Sequence, residues 1–187
     1  MFWSLLGGAI ALALSSPASL PAAPQVFGDY PLVKKVQCDE GSGTAFRVGR
    51  TRFLSVDHVT KHTNCRIEGV QFWTQAEPKL DFSVLDVPLP RGGAFKISCE
   101  GFVRGRHYWA IGHAYGGPQR VIGLYSYGYR AANGMDILIG SPTVIPGMSG
   151  GIVMNSAGEA VGTVNMFSPF FPISLSRALK DTSLCNS

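Results

Sequence analysis

Apolar and polar residues alternate in short runs over most of the chain, from GTAFRVG and RTRFLSV to AVGTVNMF. Such alternation is typical of half-buried β strands, and turns rich in Gly, Pro, Asn and Ser separate the runs. The pattern indicates roughly ten short strands and favours an all-β sandwich or barrel. Only SLSRALKD, near the C-terminus, has a helical pattern, which predicts a short helix with Ser174 or Ser176 as its N-cap.

The N-terminal segment differs from the rest of the chain. Residues 1–28 contain no charged side chain, and residues 2–14 are largely apolar. This run is shorter than the ~20 residues of a transmembrane helix and predicts a signal peptide, cleaved after Ala18. We therefore expect residues 29–187 to be an exported domain, either periplasmic or secreted. Without cleavage, residues 2–14 would be a short membrane anchor, the only contact with a membrane that we expect.

Composition narrows the function classes. Of the 187 residues 45% are hydrophobic and 15% are charged, which excludes a disordered chain. The net charge is +4, but Lys and Arg form no cluster that would follow a phosphate backbone. The densest basic group, Arg104, Arg106 and His107, is typical of a solvated surface. We expect no nucleic-acid partner.

Four cysteines support the exported location. They are even in number, widely spaced and contain no Cys-x-x-Cys pair: Cys38, Cys65, Cys99 and Cys185. This pattern favours disulfides in an oxidising compartment over zinc or redox chemistry, and three connectivities are possible. His58 and His62 lie four residues apart, but no Glu follows His58 as the zincin motif requires. We expect neither a metal nor another cofactor.

The segment GMSGG makes Ser149 a candidate nucleophile. It fits the Gly-x-Ser-x-Gly elbow of α/β-hydrolases and equally the Gly-x-Ser-Gly-Gly loop of trypsin-like proteases. An α/β-hydrolase places its histidine after the serine, whereas all four histidines here precede Ser149. The chain also lacks the alternation of strands with long helices that a doubly wound sheet needs. The order His, Asp, Ser on an all-β chain remains.

Three segments resemble the HtrA-type core of the trypsin-like serine proteases. GSGTAFRVGRTRFLSVDHVT ends in the family's Ser-x-x-His-Val, LDFSVLDV resembles its Asp strand, and PGMSGGIVMNSAGEAVGTVN resembles its nucleophile loop. AIGHAYGGPQRVIGLYSYG resembles its Ala-Ile-Gly-x-x-x-Gly turn, and FPISLSRALKD resembles its closing helix. The resemblance implies two antiparallel barrels of six strands each, over residues 29–90 and 94–187, and the short C-terminal helix. We expect a linker at residues 90–93 and no PDZ domain after the core.

The resemblance also implies the roles of the site residues. A serine hydroxyl needs an imidazole to take its proton, and the imidazole needs a carboxylate to orient it. His58 would be the base, Asp81 the acid and Ser149 the nucleophile, with the amides of Gly147 and Ser149 binding the oxyanion. Asp57 adjoins the histidine in sequence and cannot easily reach its ring. Asp86, the other rival acid, falls beyond the aliphatic strand.

The same resemblance implies which residues determine specificity. Thr143 would lie at the base of the primary pocket, and Asn165, Met166 and Phe167 would form its wall. Because position 143 is not Asp, we do not expect cleavage after Lys or Arg, and Phe167 would favour a small or medium apolar residue. The partner would be a protein or peptide substrate. The alternative is a catalytically idle trypsin-like fold that acts as a binding module.

The resemblance bears on the cysteines as well. Similar proteases often tie the histidine loop with a disulfide, which implies a Cys38–Cys65 bridge. Cys99 opens the second barrel, so Cys99–Cys185 would hold the C-terminal tail.

Overall fold

The computed structural model describes residues 30–140, 144–168 and 171–186, and these form an all-β molecule. Its one α-helix in those ranges, α1, is the four-residue segment Asp57–Thr60. The strands are β1 (Val33–Cys38), β2 (Gly41–Arg47), β3 (Arg52–Ser55), β4 (Arg66–Ile67), β5 (Val70–Gln71), β6 (Trp73–Glu77), β7 (Phe82–Asp86), β8 (His107–His113), β9 (Gln119–Arg130), β10 (Asp136–Ile139), β11 (Ile152–Met154), β12 (Ala160–Phe167) and β13 (Ile173–Ala178).

The strands form two sheets, one from each half of the chain. In the first half, seven strands form a curled antiparallel sheet in the order β5-β4-β1-β2-β3-β7-β6. In the second half, six strands close into a barrel in the order β10-β13-β12-β11-β8-β9. This confirms the predicted trypsin-like architecture. The first sheet differs in detail from the prediction, because it has seven strands and its end strands β5 and β6 do not pair.

The chain passes from one half to the other just after the predicted linker. The amide of Phe95 still donates to the carbonyl of Arg47 in the first sheet, at 2.9 Å. The next residue, Lys96, already accepts a hydrogen bond from Ala160 in the second barrel, at 2.8 Å. The crossing therefore takes place at residues 95–96.

The predicted C-terminal helix is wrong. Residues 173–178 form β13, and only a single 3-10 turn, Leu179–Asp181, follows it. β13 pairs with β10 on one side and β12 on the other, and without it the barrel would be open. An isolated helix of this length is marginal in water, whereas the strand has hydrogen-bonding partners on both edges. Ser174 and Ser176, the proposed N-caps, are fully buried strand residues.

Apolar side chains fill each half and also the interface between the halves. The interface cluster joins Phe46, Leu54 and Phe82 of the first sheet to Ile111 and Ile152 of the second barrel. All five are fully buried. This contact fixes one sheet against the other, so residues at the ends of β3, β7 and β12 are held in a constant arrangement.

Two disulfides join Cys38 to Cys65 and Cys99 to Cys185, the pairs that the resemblance implies. The first closes a loop with a sequence separation of 27 residues beside helix α1, and the second holds the C-terminal tail. None of the helices in the described ranges has the length and apolar character needed to cross a membrane. The predicted signal peptide or anchor, residues 1–28, lies outside those ranges.

Candidate active site

His58 lies on helix α1, directly after β3. Its ring Nδ1 is 2.9 Å from Asp81 Oδ2 and 3.0 Å from Oδ1, and its backbone amide donates to Oδ1 at 3.0 Å. A carboxylate can only accept hydrogen bonds, so the proton of the neutral ring belongs on Nδ1. Nε2 then carries a free lone pair and can accept a proton.

Asp81 occupies a left-handed turn between the 3-10 segment Pro78–Leu80 and β7, with φ of 49°. Asp tolerates this conformation better than most residues. Burial of the carboxylate opposes its ionisation. The hydrogen bonds from the His58 ring and amide and from Asn165 outweigh that effect, and the pKa of Asp81 lies below its usual value. The hydrogen bonds therefore favour the anionic form of Asp81.

Asn165, on β12, connects this pair to the second barrel. Its Nδ2 donates to the carbonyl oxygen of Asp81 at 2.8 Å and to Oδ2 at 3.0 Å. Its Oδ1 accepts from Thr163 Oγ1 at 2.8 Å and from the amide of Arg177 at 3.0 Å. The side chain is fully buried. Both ends of the amide are thus satisfied, and its orientation is fixed.

Ser149 reaches the same residue from the other side. Its Oγ donates to the carbonyl oxygen of Asn165 at 3.1 Å. The serine hydroxyl and the Asp81 carboxylate, which holds the His58 ring, therefore both contact Asn165. Over the described part of the chain, no hydrogen bond joins Ser149 Oγ to His58. A change of the serine rotamer would redirect Oγ, and such bonds are often long before substrate binds.

The backbone amides of Gly147 and Ser149 are oriented by hydrogen bonds to the carbonyl groups of the same peptide units. The carbonyl of Pro146 accepts from the amide of Tyr115 at 2.7 Å, and that of Met148 accepts from the amide of Gly151 at 2.8 Å. In a trans peptide the N–H points away from the C=O. The amides of Gly147 and Ser149 consequently point away from these contacts, and neither donates to an acceptor in the described ranges. Two free, fixed donors can bind a negatively charged oxygen.

Position 147 accepts only glycine in this conformation. Gly147 has φ of +88°, and a Cβ there would lie 2.5 Å from the carbonyl oxygen of His113 and 2.7 Å from the amide of Tyr115. Both neighbours are backbone atoms that cannot rotate away. The loop that carries the two amides is therefore packed tightly against the turn after β8.

Two further histidines and the rival acid Asp86 lie elsewhere. His62 bonds Glu40 on the surface, and His113 Nδ1 lies 2.8 Å from the carbonyl oxygen of Gly117. Asp86 is an exposed residue of β7 paired with Arg52 and does not contact His58. Within the described residues no group of His, Cys, Asp and Glu could hold a metal ion.

The residues predicted to line the primary pocket have different environments in the structure. Thr143 lies outside the described residues. Met166 is 44% exposed, and Phe167 packs partly against the core of the second barrel. Asn165 directs its side chain toward Asp81 and offers only its carbonyl toward Ser149. Sequence reasoning missed this link, although a polar residue within the apolar strand AVGTVNMF is a signal that could have indicated it.

The fold is shared with known proteases. No family model and no curated protein matches the chain. The active form of the Rv3671c protease from M. tuberculosis superposes with a TM-score of 0.69 and 17% identity, over 95% of this chain and 89% of that chain. The HtrA-type protease AlgW with a tripeptide has a TM-score of 0.69 and 21% identity, over 81% and 57%. The MamO protease domain from Magnetospirillum magneticum has a TM-score of 0.66 and 14% identity, over 81% and 93%. At these identities the similarity establishes the two-barrel, trypsin-like fold.

Proposed function

We propose that the protein is a serine endopeptidase in which Ser149 attacks the peptide bond, His58 is the general base and Asp81 orients His58. The observation that carries this proposal is the double contact of Asn165. Its side chain bonds the Asp81 carboxylate and its carbonyl bonds the Ser149 hydroxyl, at 3.0 and 3.1 Å. A histidine, a carboxylate and a serine around one residue are the groups that acyl transfer needs.

The chemistry begins with proton transfer. As Ser149 Oγ turns from the Asn165 carbonyl toward His58, Nε2 takes its proton while Oγ bonds the substrate carbonyl carbon. The ionised Asp81 stabilises the imidazolium that forms. The carbonyl oxygen becomes an oxyanion and accepts hydrogen bonds from the amides of Gly147 and Ser149.

The intermediate then collapses. The carbon–nitrogen bond breaks, and the imidazolium of His58 gives its proton to the leaving amine. Water next attacks the ester of Ser149 while His58 takes a proton from it. His58 then returns this proton to Ser149 Oγ as the carbon–oxygen bond of the ester breaks and the carboxylic acid leaves. Every proton in this cycle passes through the ring that Asp81 holds.

The substrate would be an extended protein or peptide chain. Such a chain would lie beside β12, near the exposed Met166, and we infer a small or medium apolar residue before the cleaved bond. AlgW, which shares the fold, binds a tripeptide and a decapeptide in its solved structures. The two disulfides support an oxidising, exported location for this activity.

Hydrolysis of a peptide library by the purified protein tests the proposal, with Ser149→Ala as the matched control. We expect cleavage products from the native protein and none from Ser149→Ala. Equal cleavage by both proteins would assign the activity to a contaminant and contradict the proposal.

One observation favours the second candidate, an idle fold that binds peptides. Among the described residues, no hydrogen bond joins the Ser149 hydroxyl to the ring of His58. An idle protein would bind the peptides in the library without cleaving them. Binding by both proteins without product from either would support this alternative.

A further inference from the structure

Thr44 lies at the point where the first sheet meets the nucleophile loop. It is a fully buried residue of β2. β2 pairs with β3 only from Phe46 onward, so the edge of β2 at Thr44 is available to another partner. That partner is the nucleophile loop, because the amide of Thr44 donates to the carbonyl of Ser149 at 2.8 Å.

The hydroxyl of Thr44 makes two further hydrogen bonds. Oγ1 donates to the carbonyl of Gly147 at 2.9 Å and accepts from the amide of His113 at 2.9 Å. The carbonyl of Thr44 accepts from Ser55 Oγ at 2.7 Å, which fixes the residue from the side of β3. One hydroxyl therefore uses both its donor and its acceptor capacity at the junction of three segments.

These contacts bear directly on the candidate oxyanion site. The carbonyl that Thr44 bonds belongs to Gly147, and the amide of the same residue is one of the two candidate oxyanion donors. His113 begins the turn in which Tyr115 donates to the Pro146 carbonyl, and that bond orients the Gly147 amide. Thr44 thus holds Gly147 in two ways. It bonds the Gly147 carbonyl directly, and it fixes the turn that begins at His113 and contacts Pro146.

We propose that the Thr44 hydroxyl is a positioning group that aligns the Gly147 and Ser149 amides for the oxyanion. This inference rests on the proposed function and deepens it. The hydroxyl does not touch the substrate, and it acts by preventing rotation of the peptide group between Gly147 and Met148. A valine at this position would keep the shape and leave the Gly147 carbonyl and the His113 amide without a partner.

The test compares three variants with the native protein. Thr44→Val removes the hydroxyl, and Thr44→Ser restores it without the methyl group. Thr182→Val is the matched control, because Thr182 is also fully buried and its hydroxyl, among the described residues, bonds the Leu179 carbonyl alone, away from the site. Thermal unfolding of each variant confirms that it is folded.

Kinetic and inhibition measurements distinguish misaligned oxyanion donors from a general distortion of the cleft. We expect Thr44→Val to lower kcat ~10- to 100-fold with little change in KM, because misplaced oxyanion donors act on the transition state. Ser149 Oγ attacks the carbonyl carbon of a peptide aldehyde and passes its proton to His58. The aldehyde oxygen then occupies the position of the oxyanion. Its inhibition constant should weaken by a similar factor. The affinity of a product peptide with a free carboxylate, measured in the Ser149→Ala background, should stay unchanged.

Thr44→Ser and Thr182→Val should both keep kcat within a few-fold of the native value. A folded Thr44→Val protein with native kcat would overturn the proposal, as would a Thr44→Ser protein as slow as Thr44→Val. An equal loss of product-peptide affinity would also overturn it, since that would indicate a general distortion of the cleft.

Amide hydrogen exchange keeps the proposal testable without activity. The His113 amide should be protected in the native protein and in Thr44→Ser, and it should exchange faster in Thr44→Val. If the native protein cleaves no peptide, the proposed function fails by itself. Unchanged protection of His113 in Thr44→Val would separately contradict the role of Thr44.

Discussion

The first sheet presents side chains to the candidate site, whereas the second barrel presents mostly backbone. His58 on helix α1 and Asp81 in the turn before β7 both belong to the half of the chain that forms the first sheet. Their contact depends on the identity of an imidazole and a carboxylate. The Gly147–Ser149 loop of the closed barrel offers two amides, and their direction depends on φ of +88° at Gly147. The first half is therefore sensitive to changes of functional group, and the second is sensitive to an added atom.

Asn165 and Thr44 connect the side chains that the first half contributes to the site with the backbone amides that the second barrel contributes. Asn165 extends from the barrel to the carboxylate of the first sheet. Thr44 extends from the first sheet to the loop of the barrel. Each half thus orients the reactive part of the other, and neither half contains a complete site. This reciprocity explains why the apolar interface between the halves matters for chemistry as well as for stability.

The largest effect is expected for a change of functional group in the first half. Asp81→Asn keeps the shape but removes the charge and favours the wrong imidazole tautomer. We expect kcat to fall about 10⁴-fold. Asp86→Asn, at the far end of β7 from Asp81, is the control and should leave kcat unchanged. Steady-state hydrolysis of a peptide substrate measures both, and equal rates for native and Asp81→Asn proteins would contradict the role of Asp81.

A single added methyl group tests the second half. In Gly147→Ala the Cβ would meet the carbonyl of His113, so the loop must move and its amide loses alignment. We expect kcat to fall by about 10²- to 10³-fold, the usual cost of one oxyanion donor. Gly123→Ala on β9 is the control, because an added Cβ there meets no atom within 4 Å. Similar kcat values for the two variants would show that conformation at position 147 is unimportant.

The lowered pKa of Asp81 makes the stability that the first half contributes depend on pH. Its contribution is complete above the unfolded value of about 3.9 and is lost as pH falls through the lower folded value.

Denaturation of native and Asp81→Asn proteins at several pH values measures that contribution. The difference in unfolding free energy should shrink as pH falls from about 5 toward about 2. A constant difference would indicate that Asp81 is not stabilised as an anion.

The disulfides should have the smallest effect on activity, and the two bridges should differ. Cys38 and Cys65 share a core cluster with Val59 of helix α1, which carries His58. Replacing both with Ser should lower the unfolding free energy by about 3–4 kcal/mol and slow hydrolysis a few-fold. Replacing Cys99 and Cys185 should lower stability but leave kcat unchanged. Denaturant unfolding and kinetics measure both, and an equal loss of kcat in the two variants would contradict this assignment.

Sequence patterns predicted the parts of the fold that depend on local alternation and on motif order. Alternating runs indicated the strands, and the order of His58, Asp81 and Ser149 excluded the hydrolase fold. The helix predicted from SLSRALKD was wrong because pairing with β10 and β12 overrides local preference at that position. Long-range pairing of this kind leaves no clear trace in eight residues.

The positioning contacts were less predictable for the same reason. Asn165 is 84 residues from Asp81 in sequence, and Thr44 is 103 residues from Gly147. Their roles depend on the packing of one half against the other, and no local motif encodes that packing. The local signal for the role of Asn165 was a polar residue at a buried strand position. Thr44 is also a polar residue at such a position, within GTAFRVG.

Labelling with a fluorophosphonate tests the central claim most directly, because the reagent reacts only with a serine that the site activates. Peptide mapping of the labelled native protein should place one adduct on Ser149. His58→Ala should greatly slow the reaction, and Asp86→Asn should leave it unchanged. Absence of label on Ser149 in the folded native protein, or equal labelling in His58→Ala, would contradict the assignment of an active serine protease site.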